Sequence, residues 1–158
     1  FPTEKPNKKA LIIGGGVGIP PMLALAEEWK GEADIVLGYR DEAFLLEEFE
    51  AVEFPVHIAS DSGRIGKKGT VMDVICAAGL DADVIFACGP KPMLKAIRTW
   101  AGERGIPAYI SMEERMACGV GVCLGCVCES AAVDTHSKVH NKRVCKDGPV
   151  FEAQEVVL

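Results

Sequence analysis

Apolar residues recur along the first two thirds of this chain in short runs that alternate with helically spaced stretches. After a polar, Pro-bearing lead-in from Phe1 to Lys9 that reads as a linker, Ala10-Leu-Ile-Ile13 is an apolar run of buried-strand type. It breaks into Gly14-Gly-Gly-Val-Gly18, and Ile19-Pro-Pro then opens a helical pattern through Trp29. Asp34-Ile-Val-Leu-Gly38 reads as a second strand. Asp41 is expected to cap the next helix, which runs through Glu50 with Leu45 and Phe49 on one face. Pro55 to Ala59 gives a third strand, followed by a polar loop from Ser60 to Gly69. Thr70 is placed to cap a helix whose apolar positions are Val71, Val74, Ile75 and Ala78, with Gly79 as its stop. Asp83-Val-Ile-Phe-Ala87 is a fourth strand. Met93 to Arg104 is a helix with Met93, Ile97 and Ala101 in one row, ended by Gly105, and Ala108 to Ser111 is a fifth strand.

Strands alternating with helices in this way predict an α/β fold, a five-stranded doubly wound parallel sheet. Ligands of such sheets bind outside the carboxyl ends of the strands, where three loops are expected to converge: the Gly14 to Gly18 turn, the Ser60 to Gly69 loop and Cys88-Gly-Pro90. A strand, a glycine turn and a helix in succession aim a helix N-terminus and bare N–H groups at a pyrophosphate. Prolines at the helix start cost little, because those N–H groups lack intrahelical partners. The run departs from the full GxGxxG fingerprint, since Pro20 and Pro21 stand near the third glycine's place. Asp61, after the third strand, is expected to repel a 2′-phosphate and so to favour NAD(H) over NADP(H), with Arg64 nearby as the residue that would reverse this. Cys88 sits in a turn at the sheet's carboxyl edge, which favours a functional role over an inert buried thiol. Cys76, inside a helix among Ile75, Ala77 and Ala78, is expected in the core.

Composition narrows the class. A length of 158 residues suits one ordinary domain, or a domain of about 110 residues with a small appendage. A net charge of −6 argues against nucleic acid, which calls for a basic face, and no segment reads as a membrane span. Ten of the acids fall between Glu27 and Glu53 and read as solvated helix faces. Seven cysteines without an apolar signal segment imply free thiols in a reducing compartment, hence the cytoplasm.

The sharpest chemistry lies in Glu113-Glu-Arg-Met-Ala-Cys-Gly-Val-Gly-Val-Cys-Leu-Gly-Cys-Val-Cys128. Cys118, Cys123 and Cys126 have the spacing Cys-x4-Cys-x2-Cys, that of a plant-ferredoxin-type 2Fe-2S cluster, and Cys145 and Cys128 are candidates for the fourth thiolate. Glycines between the cysteines let the loop curl and bring N–H groups to sulfur. A four-cysteine zinc site is the main competitor, although only one CxxC knuckle is present. A disulfide framework does not suit the chain, and a Rieske centre is disfavoured because His136 and His140 are not paired with cysteines and are expected on an exposed connection.

Together, Ile12 to Pro20, Ala59 to Val71, Ala87-Cys-Gly-Pro-Lys-Pro-Met-Leu94, Met112 to Cys128 and Arg143-Val-Cys-Lys-Asp-Gly-Pro-Val-Phe151 resemble the electron-transfer subunits of bacterial dihydroorotate dehydrogenase type B, in the ferredoxin-reductase-like family. The resemblance implies a pyridine-nucleotide-binding domain over 1–111 and a small C-terminal 2Fe-2S domain over 112–158. It implies NAD(H), a 2Fe-2S cluster and, on an N-terminal barrel expected in the full-length protein, FAD. The implied partner is an FMN-containing dihydroorotate dehydrogenase catalytic subunit in a hetero-oligomer of pyrimidine biosynthesis. Residue by residue, Gly14, Gly15, Gly16, Gly18 and Pro20 match the pyrophosphate turn, Cys88 and Gly89 match the turn that faces the nicotinamide, and Met93 lies on the helix behind. Cys118, Cys123, Cys126 and Cys145 match the cluster ligands. Without the barrel, this stretch is expected to have no complete catalytic cycle. Two other functions share these motifs or part of them: an iron-sulfur flavoprotein subunit of a hydrogenase or NADPH-ferredoxin oxidoreductase, and a zinc-binding interaction module.

Overall fold

The computed structural model describes residues 1–3, 8–133 and 138–158; His136 lies outside them. Strand β1 (Ala10–Gly15) runs into a single 3-10 turn (Gly16–Gly18) and α1 (Ile19–Glu28). Then follow β2 (Ala33–Tyr39), α2 (Leu46–Glu50), β3 (Val56–Ser60), a short β4 (Lys67–Lys68), α3 (Val71–Ala78), β5 (Val84–Cys88), α4 (Lys91–Arg104) and β6 (Ala108–Ser111). Beyond them lie β7 (Val127–Glu129), β8 (Asn141–Arg143), α5 (Val144–Asp147) and β9 (Val150–Glu152).

All five expected strands are present and parallel, in the spatial order β3-β2-β1-β5-β6. Two additions widen the sheet to seven strands. β4 pairs with the end of β3, and β9 pairs antiparallel with β6 through Tyr109↔Glu152, Ile110↔Phe151 and Ser111↔Val150. Because side chains alternate across a strand, each strand serves two cores. Ala10, Ile12, Ile35, Leu37 and Phe86 pack against Ile19, Met22 and Leu25 of α1 and Phe49 of α2. Leu11, Ile13, Val36, Ile85 and Ile110 pack on the other face against Val71, Val74 and Ile75 of α3 and Leu94, Ile97 and Ala101 of α4. Fully burying each such Leu, Ile or Phe contributes about 1.5–3 kcal/mol relative to exposure.

Helix α3 begins and ends as its sequence implies. The Thr70 hydroxyl accepts from the Asp73 N–H at 3.3 Å, the Asp73 carboxylate accepts from the Thr70 N–H at 2.7 Å, and Gly79 is left-handed at φ 61°. Three expectations need correction. Asp41 caps no helix: α2 starts only at Leu46, after Leu45 in a left-handed conformation. The preceding stretch is held as a loop because the Tyr39 hydroxyl donates to the Phe44 carbonyl at 2.8 Å and the two rings meet edge to face. Cys76 is exposed, since the buried stripe of α3 runs through Val71, Val74 and Ile75 and the next residue turns about 100° away from it. Among the acids read as solvated, Asp34 is buried and pairs with Lys9 Nζ at 2.7 Å.

Residues 112–149 leave the sheet at the end of β6 and return at β9. Inside this excursion β7 and β8 form a small antiparallel ladder, Val127↔Arg143 to Glu129↔Asn141. Val144, Phe151 and Val156 join the α3–α4 core, as do Cys126 and Cys128. Among the described residues no helix is long and apolar enough to cross a membrane.

Candidate functional site

A cavity of about 670 Å³ opens at the carboxyl ends of the strands. Its walls come from the β1 turn (Gly15, Gly16), the end of β2 (Gly38, Tyr39, Arg40), Asp61 after β3, the start of α3 (Thr70, Val71, Met72) and the start of α4 (Pro90, Pro92, Met93, Ala96). Of the residues singled out from the sequence, Gly15, Gly16, Asp61 and Met93 therefore line it. Gly16 holds a left-handed φ of 53°, which keeps the backbone of the turn bare where it faces the cavity.

The other expected residues stand behind this wall. Gly14 pairs with Cys88 across β1 and β5. Gly18 lies so close to the next turn that a Cβ there would sit 2.1 Å from the Cys88 carbonyl oxygen and 2.7 Å from the Gly89 nitrogen. A Cβ on Gly89 would in turn meet Met93 Cε at 2.5 Å and the Gly15 oxygen at 3.1 Å. The glycine turn and the Cys88-Gly-Pro90 turn are thus packed backbone to backbone. Pro20 is exposed in the first turn of α1 and does not line the cavity. Cys88 is half-buried at the end of β5; burial pushes its thiol up, partly offset by a hydrogen bond with Ser111. Tyr39, pushed up to about 12 by burial, stays a neutral phenol.

Sequence reasoning missed Tyr39, Arg40 and the residues from Thr70 to Met72. The available signal was positional: they are at the carboxyl end of β2 or at the start of a helix beside that edge, where the switch-point rule places ligands. Arg64, the residue named from the sequence as one that would reverse the preference set by Asp61, does not line the cavity.

The second feature is the thiol loop. Its four expected cysteines come together in two pairs, Cys118 with Cys123 and Cys126 with Cys145, in each of which the second cysteine's N–H is aimed at the sulfur of the first. Backbone N–H groups are aimed at the sulfurs. Val122 and Cys123 donate to Cys118 Sγ at 3.3 and 3.4 Å, Gly125 donates to Cys123 Sγ at 3.4 Å, and Cys145 donates to Cys126 Sγ at 3.4 Å. The N–H of Cys123, with those of Val120 and Val122 and the Cys123 thiol, draws the Cys118 thiol down to about 6, into the thiolate range that metals require. The Cys126 thiol, followed by burial, pushes Cys145 up. Cys128 is buried in the same core as Cys126, and burial is what raises its thiol.

Position 121 links the distant fourth cysteine to the loop. The Arg143 guanidinium donates to the Gly121 carbonyl at 3.1 Å, and a Cβ on Gly121 would strike the stem of Lys146, the residue after Cys145, at 2.7 Å. Asp147 holds Arg143 in place and is itself lowered by it. Lys91, at the start of α4, pairs with Glu114 at the start of the loop, so the cavity wall and the thiol loop share one ion pair.

The chemistry of the donor set fits a 2Fe-2S cluster: four soft sulfur donors, three of which receive backbone N–H groups. Two pairs of thiols with N–H groups turned toward sulfur are what two sulfide-bridged irons require.

Comparison with known proteins points the same way. Residues 113–157 match the family model of the iron-sulfur cluster binding domain of dihydroorotate dehydrogenase B. Over 153 residues the chain is 44% identical to the "Dihydroorotate dehydrogenase B (NAD(+)), electron transfer subunit" of Caldanaerobacter subterraneus subsp. tengcongensis, covering 96% of this chain and 60% of that one. The same-named subunit of Geobacillus thermodenitrificans is 47% identical over 154 residues, with 95% and 58% covered. The chain thus spans about three fifths of the length of these relatives. Among solved structures, an NADH-dependent reduced ferredoxin-NADP oxidoreductase superposes with a TM-score of 0.79 at 29% identity, covering 94% of this chain and 54% of that chain. The C-terminal domain of a Pyrococcus furiosus hydrogenase shares the fold, with a TM-score of 0.55 at 20% identity over 70% of this chain and 94% of that domain.

Proposed function

This chain is a homologue of the electron transfer subunits of dihydroorotate dehydrogenase B, and we propose that it carries the NAD(H) site and the 2Fe-2S cluster of such a subunit. The observation that supports this most directly is the pairing of Cys118 with Cys123 and of Cys126 with Cys145 beneath converging N–H groups. In this reading residues 1–111 bind the nucleotide and residues 112–158 bind the cluster. Gly15 and Gly16 approach the pyrophosphate with bare backbone, as Gly14, Gly18 and Pro20 set the turn and the start of α1. Asp61 accepts from the adenosine ribose. Met93, Cys88 and Gly89 form the nicotinamide end.

A nicotinamide hydride carries two electrons and a 2Fe-2S centre accepts one at a time, so an FAD bound by the full-length protein would supply the chemistry that divides the pair. The chain's own residues do the positioning. N–H groups of Val122, Cys123, Gly125 and Cys145 stabilise thiolate charge, and the Lys91–Glu114 pair fixes the loop against α4. Met116, Val120, Val122 and Leu124 are exposed around the thiols and offer an apolar face to a catalytic subunit carrying FMN, within a cytoplasmic hetero-oligomer of pyrimidine biosynthesis.

Anaerobically purified protein is expected to be brown, with about two irons and two acid-labile sulfides per chain. Stoichiometric zinc without sulfide would mean a zinc module instead. The likeness to the ferredoxin-NADP oxidoreductase favours one second reading, a subunit of an iron-sulfur flavoprotein of that kind. Mixing full-length protein with a candidate FMN subunit separates the two, because only the first reading expects the cluster to be reduced by dihydroorotate.

A further inference from the structure

Arg40 and Asp61 occupy neighbouring strand ends at the cavity. Tyr39 pairs with Ser60 in the parallel register of β2 and β3, so the two charged residues follow matched positions on strands about 4.8 Å apart. Their backbones are tied as well, with the Asp61 N–H donating to the Tyr39 carbonyl and the Ser62 N–H to the Arg40 carbonyl, each at 3.3 Å. Both side chains line the cavity, and among its described lining residues they are the two that carry charge. Despite this proximity they form no ion pair with each other. Neither side chain has another hydrogen-bond or ion-pair partner among the described residues. Two opposite charges that share a wall yet stay unpaired are both free to meet a ligand.

We propose that Arg40 forms a latent 2′-phosphate subsite which Asp61 keeps closed, so that the pair sets the choice between NAD(H) and NADP(H). The inference rests on the nucleotide reading of the cavity and adds the specificity-determining cation. The two cofactors differ by one phosphate monoester on the adenosine ribose, which brings a charge of about −1.5 to −2. A carboxylate accepts hydrogen bonds from free ribose hydroxyls and repels a phosphate in their place, whereas a guanidinium grips phosphate through paired N–H groups. The neighbouring cations are not placed to substitute. Arg64 does not line the cavity, Lys67 Nζ donates to the Asp73 carbonyl at 3.0 Å, and the Lys68 stem lies over Gly63.

Calorimetric titration of NADH and NADPH into the full chain tests this with wild type, Asp61→Asn, Arg40→Ala and the double variant. Both side chains are exposed, so all four proteins are expected to fold. Wild type is expected to prefer NADH by about tenfold or more. Asp61→Asn is expected to tighten NADPH about tenfold with NADH changing less than about fivefold, and that gain is expected to shrink to about threefold or less when Arg40 is also removed. A gain equally large without Arg40, or no gain at all, overturns the subsite while leaving the cavity as the nucleotide site. Failure of wild type to bind either nucleotide overturns the cavity reading, and the subsite with it.

Discussion

Cys145→Ser is expected to abolish most of the visible cluster absorbance, while Cys128→Ser leaves the spectrum intact. Cys128 is nearer in sequence to the other expected ligands, but the loop N–H groups aimed at sulfur go to Cys118, Cys123 and Cys126 instead. Cys145 donates its N–H to Cys126 Sγ at 3.4 Å and rides on the short helix α5, which Arg143 fastens to the loop. A serine hydroxyl is a hard donor that stays protonated near neutral pH, so the soft iron site loses one of four ligands. Metal and fold are expected to be coupled, because the proposed fourth ligand lies on the chain's return from the excursion. The Cys145 variant should therefore also melt well below wild type. Cys128→Ser places a hydroxyl where a thiol packed and is expected to cost about 1–3 kcal/mol of stability without bleaching the protein. Visible absorbance and iron content of both variants, purified anaerobically, decide the matter. A bleached Cys128 variant beside a brown Cys145 variant would make Cys128 the ligand.

Gly18→Ala should be the most damaging single change in the nucleotide turn. The added methyl would sit 2.1 Å from the Cys88 oxygen and 2.3 Å from its carbonyl carbon, and neither is the movable end of a side chain. Relief requires the two turns to separate, at about 3 kcal/mol by analogy with overpacked cores. Gly16→Ala is the matched control, since its Cβ would find nothing within 4 Å and only the left-handed φ is penalised. For a chain of this size the expected losses in thermal midpoint are about 6–12 °C for Gly18→Ala and about 2–4 °C for Gly16→Ala. NADH affinity of the Gly18 variant should fall about tenfold or more as the cavity wall moves. Equal melting of the two variants would show that the turns are not locked together at this point.

Where local chemistry decided a feature, the sequence was a good guide to it. Thr70, Asp73 and Gly79 bracket α3 with their own side chains and backbone, so α3 was legible without a partner. Strands β1, β2 and β5 were legible because each is a largely apolar run buried on both faces. Features that depend on distant partners were not. Helix α2 starts late because Tyr39 captures Phe44, a contact that no helical period announces. Strand β4 consists of two lysines and exists only through pairing with the end of β3. Strand β9 follows Pro149 and would read as tail without β6 beside it. At the site, spacing pointed to the thiols and glycines, yet the cation lining the cavity proved to be Arg40, since only the β2–β3 register brings it beside Asp61.

The pairing of β6 with β9 also bears on how such a chain is assembled. The excursion departs at Ser111 and returns at Val150, residues that face each other across the sheet edge, while the Met112 N–H donates to the Pro149 carbonyl at 2.9 Å. Topologically, everything between is the loop of one wide hairpin. Loop-closure entropy grows only logarithmically with length, so lengthening such a loop costs little once its two ends are hydrogen-bonded side by side. An α/β domain can thus acquire or shed a whole redox segment at this edge without redrawing its sheet, and the segment remains fastened by a ladder instead of hanging on a linker.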